Sequence, residues 1–225
     1  LYVAWQSSER LGIVYCHQRR SQLYCVAVTE SAAERQPPQL LTTEELDFSC
    51  RSPRVHPGGK LVVFLSREPV GPHFSAARLR CMTVATKEVR TVTDVVEDPE
   101  GGFPGLYLTS LPKRCWYTDS EIVLSTDWTM DEALVRININ DGTVDRITSP
   151  SHPALHSISV LDVSPARREI LVSVSTPTMP PEVFQITEGN SWQQLHSTHP
   201  ANAAAAEMLK VVGCERVQIA TDDGV

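Results

Sequence analysis

A turn followed by an apolar run recurs along this chain, and no other feature limits its fold so strongly. The fullest copy is Ser52-Pro53-Arg54-Val55-His56-Pro57-Gly58-Gly59-Lys60, followed by Leu61-Val62-Val63-Phe64-Leu65. Cys115-Trp116-Tyr117-Thr118-Asp119-Ser120-Glu121 leads in the same way into Ile122-Val123-Leu124-Ser125. Val163-Ser164-Pro165-Ala166-Arg167-Arg168-Glu169 leads into Ile170-Leu171-Val172-Ser173-Val174. The chain opens on another such run, Leu1-Tyr2-Val3-Ala4-Trp5, so the runs begin at residues 1, 61, 122 and 170. A period of roughly 40–50 residues is that of a β-propeller blade, and a longer spacing needs only an inserted loop. One blade cannot bury both of its sheet faces, so neighbours must stack. The prediction is all-β: a partial β-propeller of about three and a half four-stranded blades, fewer than the usual minimum for a closed ring. Such a segment is an open fragment of a larger propeller.

Each unit reads as an inner hairpin followed by an outer one. Ala133–Ile139 places Val135, Ile137 and Ile139 on one face and Leu134, Arg136 and Asn138 on the other, the period of a strand. Asn140-Asp141-Gly142-Thr143 then forms a tight turn, where Gly accepts the positive φ, and Val144–Thr148 returns. Leu79–Val84 with Val89–Thr93, and Glu182–Thr187 with Trp192–His196, have the same shape. Prolines fall between the runs, as expected of residues that cannot donate to a sheet ladder. The longest connections are 96–111 and 30–39. A short helix is expected over 202–210, with Asn202 as its N-cap and Ala203–Ala206 as strong helix formers. Glu215–Val225 reads as a further strand.

The formal net charge of -7 argues against binding driven by nucleic-acid phosphates. The pairs Arg19-Arg20 and Arg167-Arg168 read as solvated surface, and no longer basic tract appears. No apolar stretch approaches the length of a membrane span. Cys16, Cys25, Cys50, Cys81, Cys115 and Cys214 form no C-x-x-C pair. They lie in apolar segments, as buried reduced thiols of a cytoplasmic protein would. The four tryptophans, Trp5, Trp116, Trp128 and Trp192, are expected in blade cores.

The sequence offers no visible catalytic group. A nucleophile elbow, G-x-S-x-G, is absent, and Gly101-Gly102-Phe103-Pro104-Gly105 has neither its serine nor the Lys-Ser/Thr ending of a phosphate loop. His152 and His156 are four apart, but Pro153 intervenes and no Glu accompanies them. His196 and His199 have no cysteine pair. Metal sites need three or four compatible ligands, so all four read as surface histidines and no metal or cofactor is expected. Glu44-Glu45 and Asp222-Asp223 sit in turns, where sequence shows no convergence into an acid–base pair.

Several stretches resemble the N-terminal domain of the acylaminoacyl peptidase (acylamino-acid-releasing enzyme) family, a branch of the prolyl oligopeptidases. They are Arg10-Leu11-Gly12-Ile13, Cys16, Arg19-Arg20-Ser21 before Leu23-Tyr24, and Ser52-Pro53-Arg54 with Pro57. Further along come Asp94-Val95-Val96, Cys115-Trp116, Ser175-Thr176-Pro177 with Pro180-Pro181, and Glu215 before Val217-Gln218. They follow the family's order along almost the whole chain; between Ser197 and Cys214 there is little likeness. The resemblance implies a propeller over 1–200, and an exit linker or strand over 201–225 leading to an α/β-hydrolase domain not contained in this chain. That domain would hold a Ser-Asp-His triad and release N-acylated amino acids from peptides by acyl transfer. The propeller would gate access, admitting peptides and excluding folded proteins. Implied partners are the hydrolase domain of the same polypeptide, N-acylated peptides and further copies in a homo-oligomer, with no nucleic acid and no membrane. No family catalytic residue has a counterpart here. The other reading is a stand-alone protein-interaction propeller, but the G-H and W-D dipeptides of WD40 blades are absent.

Overall fold

The computed structural model describes residues 1–5, 12, 16–28, 31, 36–42, 49–99, 102–148, 156–198, 203–215, 217 and 219. Strands β1 (Tyr2–Ala4), β2 (Gln22–Cys25) and β3 (Gln39–Leu40) form the first sheet. β4 (Ser49–Val55), β5 (Leu61–Arg67), β6 (Arg78–Thr83) and β7 (Val89–Thr93) form the second, in sequence order and antiparallel throughout. The third unit holds β8 (Glu121–Trp128), β9 (Asp131–Asn138) and β10 (Val144–Ile147). The fourth holds β11 (Ser157–Ser164), β12 (Glu169–Thr176), β13 (Met179–Thr187) and β14 (Ser191–Ser197). One parallel pair, Glu132 with Ser157, joins these last two into a single sheet. The result is the partial propeller of about three and a half blades that the repeats predict, and the described strands do not close a ring.

The apolar runs exist because the middle strands are covered on both faces. Val62 and Phe64 of β5, with Cys50 of β4 and Met82 of β6, pack toward the first blade against Leu23. Val63 and Leu65, with Leu79 and Cys81, turn the other way and meet Ile122, Leu124, Val135 and Ile137 of the third blade. Val123 and Leu134 leave the opposite face of that blade and meet Ile158, Val172, Val174 and Phe184 of the fourth. Alternation at period two therefore sends successive residues into different inter-blade cores. Each such side chain contributes roughly 1.5–3 kcal/mol by burial.

The third blade departs from the four-stranded expectation, because its inner strand shrinks to a single bridge between Trp116 and Ile122. The backbone before it is satisfied from the second blade instead. A bulge in β4, with Ser52 at φ 53°, sets Ser52 and Arg54 toward residues 111 and 112. Ser52 Oγ accepts the Leu111 N–H at 2.9 Å. The Arg54 guanidinium donates to the carbonyls of Leu111 and Pro112.

Other expectations need correction. Trp116 is buried and Trp128 and Trp192 pack partly against cores, but Trp5 is 59% exposed because it lies beyond the end of β1. Cys50, Cys81 and Cys115 are buried, whereas Cys16 and Cys214 are exposed, lying outside the strands. All six are free thiols. His156 is buried rather than superficial, because it directly precedes β11 at a blade junction, where its carbonyl accepts the Glu132 N–H. His196 is exposed on β14 as expected. The helix α1 spans Ala203–Lys210. Glu215, Val217 and Ile219 carry no regular structure, so the strand expected over Glu215–Val225 does not appear at the described positions. Arg10, Leu11, Ile13, Glu44, Glu45, Gly101, His152, His199, Asn202, Gln218, Asp222 and Asp223 lie outside the described residues.

Candidate functional site

One end of the propeller collects the chemistry. There β4 and β11 begin, β5, β8 and β12 finish, and β6, β9 and β13 begin. A contact between neighbouring units recurs at this end: Ser21 pairs with Ser49, Ala77 with Leu106, and Glu132 with Ser157. Each carries a backbone hydrogen bond, from Cys50 to Ser21, Ala77 to Leu106 and Glu132 to His156. In each, the approach to an outer hairpin meets the approach to the next unit.

The first junction opens into a cleft of about 590 Å³ walled by Arg19, Arg51, His73, Ser49, Val3 and Trp5. Arg51 Nη2 donates to Gln18 Oε1 at 2.7 Å. The Gln18 side chain, fully buried, donates in turn to the carbonyls of Pro72 and His73. His73 Nε2 lies 2.8 Å from the His17 carbonyl, which it meets as a donor. Across β4, Arg67 pairs in register with Ser49 and is only 1% exposed. Its Nε donates to Ser75 O at 2.8 Å, Nη2 donates to Leu108 O, and Nη1 is buried with no hydrogen-bond partner. No carboxylate pairs with Arg67 or Arg51 among the described residues. Burial, and then the nearby Arg51 charge, push the Arg67 guanidinium down to about 10.

The last junction has the opposite character. A cleft of about 450 Å³ is lined by Asp127, Glu132, Ser110, Thr126 and Ser159. A neighbouring one of about 650 Å³ is lined by Asp131, Glu132, His156, Ser157 and Cys214. Glu132 accepts hydrogen bonds from the Ser157 and Ser159 hydroxyls. Asp131, 6% exposed, takes Arg146 Nη2 at 2.8 Å, and that guanidinium stacks over Trp128 at 5.2 Å. A serine donating straight to a carboxylate has no imidazole relay between them, so these bonds fasten blade three to blade four. Among the described residues no group of three or more His, Cys, Asp or Glu could hold a metal ion, and no helix is long and apolar enough to cross a membrane.

The residues that carried the family resemblance take structural places. Ser52-Pro53-Arg54 forms the bulge that clasps residues 111 and 112. Asp94 Oδ1 accepts Arg78 Nε at 2.6 Å and the Val95 N–H at 2.7 Å, and the backbone bond foremost holds its carboxyl below the usual range. Cys115 and Trp116 lie in the core between blades two and three. The arginine cluster at the first junction was not apparent in the sequence. Its only signal was Arg67, a cation closing an apolar run.

Stacked sheets of this order, joined at one end by a repeated contact, define a β-propeller segment. Puromycin hydrolase shares the fold with TM-score 0.56 and 14% identity, over 87% of this chain and 31% of that one. Oligogalacturonate lyase does so with TM-score 0.52 and 12% identity, over 73% and 46%. One is a hydrolase and the other a lyase, so the fold alone selects no chemistry. The sequence is more specific. Residues 1–208 match the family model of the acylamino-acid-releasing enzyme, N-terminal domain, and the chain belongs to that family. The acylamino-acid-releasing enzyme of Mus musculus is 31% identical over 206 residues, 87% of this chain and 26% of the relative. Acylamino-acid-releasing enzyme 1 of Oryza sativa is 27% identical over 227 residues, 86% of this chain and 29% of the relative. The chain thus spans between a quarter and a third of the length of these curated relatives.

Proposed function

We propose that this chain is the substrate-gating propeller of a serine-type acylaminoacyl peptidase, which releases N-acylated amino acids from peptides. The family match over residues 1–208 carries the reading. Residues 1–200 would form the propeller and 201–225 the exit toward a hydrolase domain of the same polypeptide. This segment would supply no catalytic group, metal or cofactor. The serine, its histidine base and the oxyanion hole would come from the hydrolase domain. The whole protein would be a cytoplasmic homo-oligomer.

The experiment is a chimera in which residues 1–208 replace the matching segment of the mouse relative. The chimera should release acetyl-alanine from acetyl-alanyl peptides and spare folded proteins, and the 225-residue chain alone should release none. A folded chimera that leaves acetylated peptides intact would overturn the reading, as would serine-reagent-sensitive turnover by the chain alone.

A further inference from the structure

We propose that the cleft between the first and second blades binds the C-terminal carboxylate of a short peptide, with Arg51 as its principal ligand. The inference rests on the reading above and adds a subsite to it.

The cleft is cationic in a chain whose net charge is -7. Arg19 and Arg51 line it, with Ser21, Ser49 and His73, and no Asp or Glu is among the described lining residues. Arg51 spends one nitrogen on the neutral Gln18 amide oxygen. Behind Ser49 lies Arg67, whose bonds go only to carbonyls. A buried charge without a counter-ion is costly and is normally paired. Arg67 meets that condition, and the half-buried Arg51 guanidinium lies near it without a carboxylate partner among the described residues, so their fields add at the cleft. An arriving oxyanion would gain from both charges while touching only Arg51.

The walls decide which oxyanion. Val3 and Trp5 supply an apolar side next to the cations, and Trp5 is 59% exposed at that side. A free inorganic anion has no use for such a wall. A peptide terminus does, because its carboxylate and last side chain leave the same carbon. Arg presents a planar fork that matches a carboxylate bidentately. N-acylation removes the positive charge of a peptide's amino terminus. A short acylated peptide with neutral side chains then carries one charge, its C-terminal carboxylate. A cationic cleft at one end of the gate would attract such a peptide by that group.

The test uses the 225-residue chain and acetyl-trialanine, with acetyl-trialanine amide as the uncharged twin. Calorimetry reads affinity, and Trp5 fluorescence reports occupancy of the cleft. The free acid should bind saturably and perturb Trp5, with the amide at least roughly 10-fold weaker. Arg51→Met should weaken the acid by roughly 10–100-fold, the worth of a charge-assisted hydrogen bond. Arg51→Lys, keeping charge without the fork, should fall between. Trp5→Phe should remove the optical signal while calorimetry still detects binding. The acid–amide comparison on the unaltered chain needs no variant, so a misfolded variant leaves the proposal open to refutation. Equal binding of acid and amide overturns it. Inorganic phosphate binding as tightly as the acid, a site for an adventitious ion only, also overturns it. So does absence of saturable binding. If the mouse chimera still releases acetyl-alanine in those cases, the subsite is refuted and the peptidase reading stands.

Discussion

Replacing Arg54 by methionine tests whether the β4 bulge holds the second and third blades together. Methionine keeps most of the length and apolar stem, so packing is nearly preserved while the donors vanish. Three carbonyls lose a partner: Leu111 O, Pro112 O and Pro53 O. The Pro53 bond is local, and water can replace it. The other two cross the blade boundary. Hydrogen bonds from a charged donor are worth about 1.5–3 kcal/mol each, and the half-buried setting argues for the lower end. Two of them give about 3 kcal/mol. The cost of desolvating the guanidinium is returned on its removal, and burial does lower its pKa, so about 2 kcal/mol remains as the expected loss.

For a domain of this size 1 kcal/mol moves Tm by roughly 2–4 °C, so a fall of about 4–8 °C is expected by calorimetry. Ser52→Ala removes the acceptor for the Leu111 N–H and should cost about 1 kcal/mol alone. Both residues hold the same two-residue stretch. The double variant should therefore lose less than the sum of the single losses, with a coupling of about 0.5 kcal/mol or more. A shift below about 1 °C for Arg54→Met would show that water replaces the clasp without loss. Strict additivity would show that the two side chains act independently. Either result refutes the reasoning.

Trp116→Ala should cost about 3–5 kcal/mol, since the ring is 5% exposed and packs edge-on against His56 at 4.6 Å. Trp116→Phe should cost much less in the same melt, because the indole Nε1 it removes is buried without an acceptor. Gly142→Ala should lower stability by a few kcal/mol in urea titrations, because φ is +79° and the new Cβ would collide with the Val92 carbonyl of the neighbouring blade. Gly59→Ala, with φ +71° and nothing within 4 Å, should lose only about 1–2 kcal/mol. The Cys50 and Cys115 thiols are pushed up to about 12 by burial, so above pH 9 the unfolded chain releases these protons first. Stability should then fall as pH rises, on the order of 1.4 kcal/mol per pH unit for each thiol, and the slope should lessen in Cys50→Ala and Cys115→Ala.

The parts legible in the sequence are those where one physical rule acts alone. Leu61–Leu65 and Ile122–Leu124 read as strands because both faces meet neighbouring blades and no polar residue interrupts them. The Asp141-Gly142 turn read correctly because the backbone there needs a positive φ. Where two rules compete, the reading failed. Trp5 is apolar enough for a core, yet it stands past the last paired residue of β1. His156 is polar enough for the surface, yet a blade junction buries it. The reduced inner strand of blade three was invisible, because its cause lies far back in the chain at Ser52 and Arg54. The cationic cleft was hidden for the same reason. Arg19, Arg51 and His73 share no spacing, and only the pairing of β4 with β5 brings Arg67 behind Ser49.

Apolar faces alone would not fix how these blades sit. Burial is non-directional, and two sheet faces rich in valine, leucine and isoleucine gain nearly as much when one slides along the other. Directional bonds at the edges remove that freedom. Arg54 and Arg67 both reach from the second blade into the connection that precedes the third, onto the carbonyls of residues 108, 111 and 112. Tyr107 N–H then bonds Thr126 Oγ1 at 2.8 Å, and Tyr107 O takes the Asp127 N–H, which fixes that connection to the end of β8. Carbonyls accept from arginine without neutralising it. Arg67, in register with Ser49 of the first cleft, therefore keeps its positive charge beside that cleft. The last junction is fastened by Glu132 to serine hydroxyls, which leaves negative charge there. The separation of cationic and acidic clefts on one end is thus a consequence of how the stack is held in register.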